Sequence, residues 1–357
     1  MDWKGKQLLD CPFGNVEKRY GAPYYFIHRA DLIHALVDAV KQKSNVKVSM
    51  GTRIAEYDFD KPAVKTEDSQ WHDFDLIVCA DGIKSSVRTV INGKPIEPID
   101  TGDVAHRILV PVEPLLRDPE MKHLVTEPWA THWIGPEAHA VGYPLRDGKM
   151  YNIIIDVTHR TDLGNPIGLD QWRSEQDKAA LIERFRDWCT PVQKLCKLTD
   201  TYLKWKLADF DQLDHWVHPS GKVVLLGDNA HPFMPYMAQG AAQATEDAAC
   251  LAASLKRYKQ LGQALQAYER QRRPRAAYIA RNTRVLQQWW HLHDGPERDR
   301  RDELMKWDAQ SNPIFWGDTR RMNWLFGHDA RQLFSDGDEG KIPDLPPWPD
   351  NDASVYS

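Results

Sequence analysis

The chain has 357 residues, 42% of them hydrophobic, with 14 Trp and a formal net charge of -5. That length and composition suit about two domains with sizeable cores and exclude a wholly disordered chain. A pI near 6.3 excludes a global basic field for nucleic acid, so an anionic ligand would need a local basic pocket.

Cys11, Cys79, Cys189, Cys196 and Cys250 form no CxxC and no zinc-like spacing. Cys79 and Cys250 lie in apolar patterns and read as buried thiols. The odd cysteine count and the lack of a signal-like start point to a reducing, cytoplasmic setting. No apolar run reaches the roughly 20 residues of a membrane span.

In chain order, Met1 to Lys6 reads as polar, hairpin-like sequence, and no GxGxxG phosphate loop occurs anywhere. Tyr24 to Leu36 runs into a helix with Leu32, Leu36, Ala39 and Val40 on one face. Arg29 sits at its entry, where a cation opposes the helix dipole, which favours a ligand or ion-pair role over a bare surface charge. Val46 to Met50 alternates like a strand, and Thr52 to Thr66 reads as a meander ending near Ser69. Leu76 to Ala80 is continuously apolar, as in a central parallel strand, and it stops at Asp81-Gly82, with Ser85 and Arg88 following.

From Thr101 the pattern becomes separate strands: Ile108 to Val112, Ala130 to Ile134, His139 to Leu145, Tyr151 to Val157 and Tyr202 to Leu207. They suggest an antiparallel sheet packed on one side. Trp129 and Trp133 read as core or pocket wall. Ser174 to Asp177 reads as a capping box before a helix with Leu181, Phe185 and Trp188 on one face. His139 and Tyr143, four apart on a strand, should share a face and project into one space, as a proton-handling pair or as a half-exposed histidine and a core tyrosine.

Lys222 to Ala249 joins a buried strand, Val223 to Leu226, to a helix. Gly227 ends the strand and Asp228 puts a carboxylate at its C-terminal edge, where open α/β sheets bind ligands. After Pro232 and Pro235, Gly240 and Ala241 open a helix with small residues, whose unpaired N–H groups suit a flat ring. Ala244, Ala248, Leu251 and Leu255 should be its buried stripe, with Gly262 a stop signal and Glu246 and Asp247 solvated or paired with basic groups. Arg270, Arg272, Arg273 and Arg275 read as a solvated face with local ion pairs, and Pro274 as a kink or a new start within the helix from Leu265 to about Trp290.

The segment Gly227-Asp228-Asn229-Ala230-His231-Pro232, continued by Pro235 and Ala238-Gln239-Gly240-Ala241, resembles the second flavin-contact motif of the FAD-dependent aromatic-ring hydroxylases, which include the salicylate hydroxylases. Ala80-Asp81-Gly82, Ser85 and Val87-Arg88 resemble the same family's AspGly motif, and His28-Arg29-Ala30-Asp31-Leu32 its flavin-contacting arginine. The resemblance implies that Arg29, Asp81, Gly82, Arg88, Asp228, Pro235, Gly240 and Ala241 bind cofactor. It implies His139 as acceptor of the substrate hydroxyl proton, with Tyr143 beside it. It begins only after the family's GxGxxG unit.

The fold expected is α/β: an incomplete Rossmann-like FAD-binding domain with an inserted antiparallel β-sheet substrate domain and C-terminal helices. Residues 1–100 and 208–290 would form the FAD-binding domain, 101–207 the substrate domain, 291–334 a helical region and 335–357 a mobile tail. The activity implied is FAD-dependent hydroxylation of a phenolic or other aromatic small molecule by molecular oxygen, with NADH or NADPH as reductant. No nucleic-acid partner or transmembrane segment is expected, and the family resemblance leaves room for a homodimer. Two alternatives stand beside it: a truncated relative that does not bind FAD and does not catalyse, and another flavoprotein, an epoxidase or a reductase, with the same GlyAsp motif.

Overall fold

The computed structural model describes residues 1–159, 172, 178–200 and 202–333. Helix α1 (Val16–Tyr20) and helix α2 (Arg29–Lys41) precede a three-stranded antiparallel meander of β1 (Ile54–Asp58), β2 (Ala63–Thr66) and β3 (Trp71–Asp73). Strand β4 (Ile77–Cys79) follows, and the turn after it leads into helix α3 (Val87–Asn92).

The next segment builds a five-stranded antiparallel sheet from β5 (Ile99–Pro111), β6 (Thr131–Gly135), β7 (Ala138–Leu145), β8 (Met150–Thr158) and β9 (Leu203–Asp209), in the order β6-β7-β8-β5-β9. Alternation sorts its side chains onto two faces. Ile108, Val110, Ala138, Ala140, Tyr151, Ile153, Ile155 and Val157 form one core with short helices α4 (Glu113–Arg117), α5 (His123–Thr126), α6 (Lys178–Arg184) and α7 (Thr190–Lys197). Leu181, Phe185 and Trp188 join that core as the sequence pattern requires. The other face carries residues of opposite parity. Ile134 and Val141 pack there against Phe233, Met234, Tyr236, Met237 and Trp290.

The chain then returns through β10 (Val223–Leu225), which pairs in parallel with β4. Helix α8 (Gly240–Arg257) and the long helix α9 (Leu261–Trp290) cover β10, whose residues are wholly buried. Helices α10 (Pro296–Leu304) and α11 (Thr319–Phe326) follow, with Leu325 of α11 in the cluster formed by the end of α9.

Several elements differ from the pattern read in the sequence. The five-stranded sheet agrees closely, but Val46 to Met50 forms no strand, and Val46, Val48 and Met50 are exposed. No described strand runs beside them to take their backbone groups. Helix α2 buries none of its residues, and Leu36 is 58% exposed. Strand β4 has Val78 40% exposed, so it is covered on one face only. Trp133 is core, whereas Trp129 is exposed. Helix α9 runs through Pro274 without a break and already includes Gly262 in its first turn. Met1 to Lys6 lies against β6: the Met1 amino group donates to the His132 carbonyl at 2.9 Å, and the Asp2 carboxylate accepts from the Lys4 and Lys6 amides. The capping box at Ser174 to Asp177 and the tail from Ser335 lie outside the described residues.

Gly142 tests how tightly the sheet is packed. A Cβ there would lie 2.7 Å from Cζ of Tyr151, whose ring is fully buried and has nowhere to retreat. Gly142→Ala should therefore cost about 1–3 kcal/mol. A lower urea midpoint at unchanged slope is the expected result.

Candidate active site

The parallel pair β4 and β10 ends in two turns held as one unit. Gly82 and Gly227 have positive φ, +81° and +65°, so each strand can reverse sharply. The Asn229 side-chain amide donates to Asp81 Oδ1 at 2.7 Å and to the Cys79 carbonyl at 3.3 Å. Arg88 is 1% exposed, and its guanidinium donates to the carbonyls of Gly82, Ile83, Ser85 and Asn229. Burial brings its pKa down to about 10 against the opposing pull of Asp81. Arg88, which the motif suggested as a cofactor contact, directs these donors to carbonyls of the protein itself. It fixes the turns that present Asp81 and Asp228, both exposed at the C-terminal edge of the pair.

Beyond Asp228 the chain forms a short 3-10 turn, Pro235–Met237, anchored by the buried Tyr236 and Met237 while Pro235 stays exposed. Ala238 adopts φ +51°, a left-handed conformation that costs a non-glycine residue roughly 1–2 kcal/mol and marks a shaped loop. Helix α8 then starts at Gly240 without a side-chain cap from Gln239. Its first-turn N–H groups, with Ala241 and Ala242 exposed, leave partial positive charge at a surface formed by small residues. Asp228, Pro235, Gly240 and Ala241 therefore occur on one continuous turn, and uncapped donors beside an exposed carboxylate fit the ring and ribityl parts of a flavin.

A buried ion cluster holds this turn in place. The Asp247 carboxylate accepts from the Gly227 amide at 3.0 Å, His231 Nε2 at 2.5 Å and Arg272 Nε at 2.8 Å. Glu246 binds Arg272, and its two oxygens accept from Arg275 at 2.8 and 3.0 Å. Burial pushes the Asp247 carboxyl up, but the charges and hydrogen bonds of His231 and Arg272 outweigh it and hold the group below the ordinary carboxylate value. Glu246 is likewise held low by Arg275 and Arg272 against its burial. Of the two readings left open for the acidic pair, pairing is the one realised. Of the basic cluster, Arg272 and Arg275 are inside the protein, whereas Arg270 is exposed and Arg273 half-buried, so only part of it is a solvated face. The buried stripe of α8 is Gln243, Asp247, Cys250, Leu251 and Ser254, displaced from the apolar stripe because Arg272 gives Gln243 and Asp247 a partner.

On the inner face of the five-stranded sheet, His139 lies in a sealed polar network. Its Nδ1 is 2.8 Å from His291 Nε2, and its Nε2 is 3.4 Å from Asp156 Oδ2. His291 Nδ1 is 2.6 Å from Thr158 Oγ1, which donates to Asp103 Oδ1 at 2.5 Å. The other Asp103 oxygen accepts from the Tyr236 hydroxyl at 2.5 Å. Burial, with His291 and His132 adding to it, lowers the His139 pKa well below its usual value. Burial and the nearby Asp103 push Asp156 far up.

Tyr143 shares the face of His139 but not its space. Two residues along a strand span about 7 Å, so positions four apart are separated by about 13 Å, with Val141 between them. Tyr143 instead stacks on Phe26, with ring centroids 4.9 Å apart and planes at 27°. Phe26 precedes α2, and α2 is held to the β7–β8 hairpin by a two-point pair between Asp31 and Arg146, 2.7 Å at each contact. Arg29 is exposed in the first turn of α2, and no carboxylate pairs with it among the described residues.

Sequence reasoning missed Asn229, His231, Tyr236, Arg272 and His291 as supports of the site. A strand, turn and helix are legible locally, whereas each of these residues acts through a partner far away in sequence. Asn152 and Arg107 left a weaker sign, a polar side chain set in an apolar strand run.

The sequence profile of the family described as FAD binding domain matches residues 12–283. The FAD-dependent monooxygenase atnJ of Arthrinium sp is 33% identical over 285 residues, covering 78% of this chain and 66% of that protein. The 3-hydroxybenzoate 6-hydroxylase 1 of Aquipseudomonas alcaligenes is 30% identical over 335 residues, covering 92% of this chain and 79% of that protein. Among solved structures, a salicylate hydroxylase substrate complex superposes with a TM-score of 0.71 at 26% identity, over 85% of this chain and 73% of the other. The chain thus spans about two thirds to four fifths of the length of these relatives.

Removing the cation from the buried cluster should show how much the turn depends on it. Arg272→Met leaves two carboxylates without their shared partner and should cost about 3–5 kcal/mol in denaturant unfolding. Because Asp247 and Glu246 have lowered folded pKa values, the stability they contribute is complete at neutral pH. It is lost as pH falls from the ordinary carboxylate range through those lowered values. The variant should lose much of that acid dependence.

Proposed function

The chain belongs to the FAD binding domain family, among the FAD-dependent monooxygenases, and from that premise we propose that it hydroxylates a small aromatic ring with molecular oxygen, using NADH or NADPH as reductant. The observation that carries this reading is the turn from Asp228 to Ala241, where an exposed carboxylate, a left-handed Ala238 and an uncapped helix start lie together. When bound, the flavin supplies the redox chemistry and activates oxygen.

The chain's own contribution is binding, orientation and proton handling. The amides of Gly240 and Ala241 suit the electron-rich edge of a flavin ring, and Asp228 suits the hydroxyls of its side chain. Pro235 offers a rigid apolar surface beside them. The inner face of the five-stranded sheet would cover the aromatic substrate and keep water from it. Relatives named for 3-hydroxybenzoate and 3-amino-4-hydroxybenzoate support a small aromatic substrate.

Within that site, Tyr143 is proposed as the phenolic group facing substrate. His139 is assigned a different role from the proton acceptor implied by sequence. Both of its ring nitrogens face protein groups, so it acts through His291 and the Tyr236 network on the Pro235–Met237 turn, as a positioning residue. No described helix is long and apolar enough to cross a membrane.

The reading is tested by titrating the purified chain with FAD and following flavin fluorescence. Saturable quenching, together with NADH or NADPH oxidation stimulated by an aromatic compound and oxygen incorporation into its ring, is expected. Asp228→Ala should weaken FAD binding by about tenfold or more, the value of a charge-assisted hydrogen bond. No flavin binding would sink the reading. Nucleotide oxidation with no oxygen in any product would favour a reductase instead.

A further inference from the structure

Three neighbouring strands of the inner face bring together an excess of hydrogen-bond donors. Register places Tyr143 of β7 directly opposite Asn152 of β8, and Arg107 of β5 opposite Ile154, one position along the same face. Arg107 Nε donates to Asn152 Oδ1 at 3.1 Å. That bond fixes the amide so that Asn152 Nδ2 is the free end, and Nδ2 is buried with no hydrogen-bond partner in a side chain that is 0% exposed. No carboxylate pairs with Arg107 among the described residues. Tyr143 keeps its proton, since burial raises its pKa from 10.0 against the opposing charge of Arg107.

A guanidinium, an amide NH₂ and a phenol therefore lie along one face of three adjoining strands, and the amide acceptor among them, Asn152 Oδ1, is already engaged by Arg107. Leaving a buried donor unmade costs about 1–3 kcal/mol, so this arrangement calls for an acceptor from outside. A planar anion with two oxygens meets all three groups, and Arg is the residue suited to hold it. The flat ring of Phe26 stacked on Tyr143 and the apolar side chains of Val141 and Ile154 supply the adjoining wall for an aromatic body.

We propose that Arg107, Asn152 and Tyr143 form a carboxylate subsite, and that the ligand on the inner sheet face is an aromatic acid. This rests on the hydroxylase reading for its location, since it assigns the acid's ring to the substrate position. Arg107 would pair with the carboxylate, Asn152 Nδ2 would donate to one oxygen, and the Tyr143 hydroxyl would donate to the other.

Equilibrium titration of the full chain with benzoate and with its neutral isostere benzamide, read by calorimetry, tests the subsite without turnover. Benzoate should bind about 10- to 100-fold more tightly than benzamide, the range of a charge-assisted hydrogen bond. Arg107→Gln should abolish that preference, Arg107→Lys should restore part of it, and Asn152→Asp should reverse it. Equal affinities in the parent chain, a preference that survives Arg107→Gln, or no benzoate binding by a chain whose circular dichroism shows it folded, would each overturn the proposal. Flavin titration of the same samples separates the two readings. Flavin binding without a benzoate preference defeats the subsite alone, and a benzoate preference without flavin binding defeats the hydroxylase reading alone.

Discussion

The contact between Asp247 and Arg272 is the constraint on which the ligand-facing turn depends. One carboxylate takes the Gly227 amide, the His231 ring and the Arg272 guanidinium, so the end of β10, the start of α8 and the middle of α9 meet at a single group. A carboxylate this deeply buried would be expelled or neutralised without partners. With them it becomes a fixed point from which Asp228 and the uncapped start of α8 are displayed. The second carboxylate, Glu246, extends the hold to Arg275, which also donates to the carbonyls of Trp324 and Leu325 at the end of α11. Helix α11 is tied to the same turn by this route.

Legibility in the sequence followed the range of the interactions involved. The antiparallel sheet could be read because alternation and continuous apolar runs are local properties, and β7 and β8 fall within a residue or two of their expected bounds. The strand-to-helix turn at Gly227 to Gly240 was legible for the same reason. The face of α8 was misread because an apolar periodicity count assigns Gln243 and Asp247 to solvent, while their partner Arg272 lies in another helix. Arg88 shows the same limit from another side. A cation next to a ligand loop suggests contact with the ligand, yet four backbone carbonyls use its donors first.

Helix α2 and the segment after it show where sequence patterning and packing part company. Leu36 and Val40 fall in the apolar stripe read for this helix, and Val46 and Val48 alternate as a strand should, but all four are exposed. Periodicity reports that a face is apolar and not what covers it. Helix α2 is nevertheless positioned, because the Asp31–Arg146 pair joins it to the β7–β8 hairpin and the Phe26–Tyr143 stack aligns the chain just before it. An exposed ion pair contributes little energy; here two parallel hydrogen bonds supply orientation.

The inner face of the sheet divides into two chemical environments, and that division explains why His139 and Tyr143 do not form a pair. Near Tyr236 the face carries two carboxyl groups, Asp103 and Asp156, and two imidazoles, all closed off from solvent, with a partly buried threonine beside them. Such a set is tolerable because burial drives its members toward their neutral forms and hydrogen bonds join most of the polar atoms. Further along the same strands, Asn152 Oδ1 is already engaged by Arg107 while Asn152 Nδ2 is buried with no hydrogen-bond partner. The first set is joined to itself apart from the Asp156 oxygens, which accept no hydrogen bond, and Tyr236 ties it to the turn that carries Pro235. The second is chemically incomplete, and incompleteness at an aromatic-walled surface is the condition for recognising something that is not part of the protein. A ligand bound there would lie across Val141 and Ile154, within reach of the turn that the first set holds.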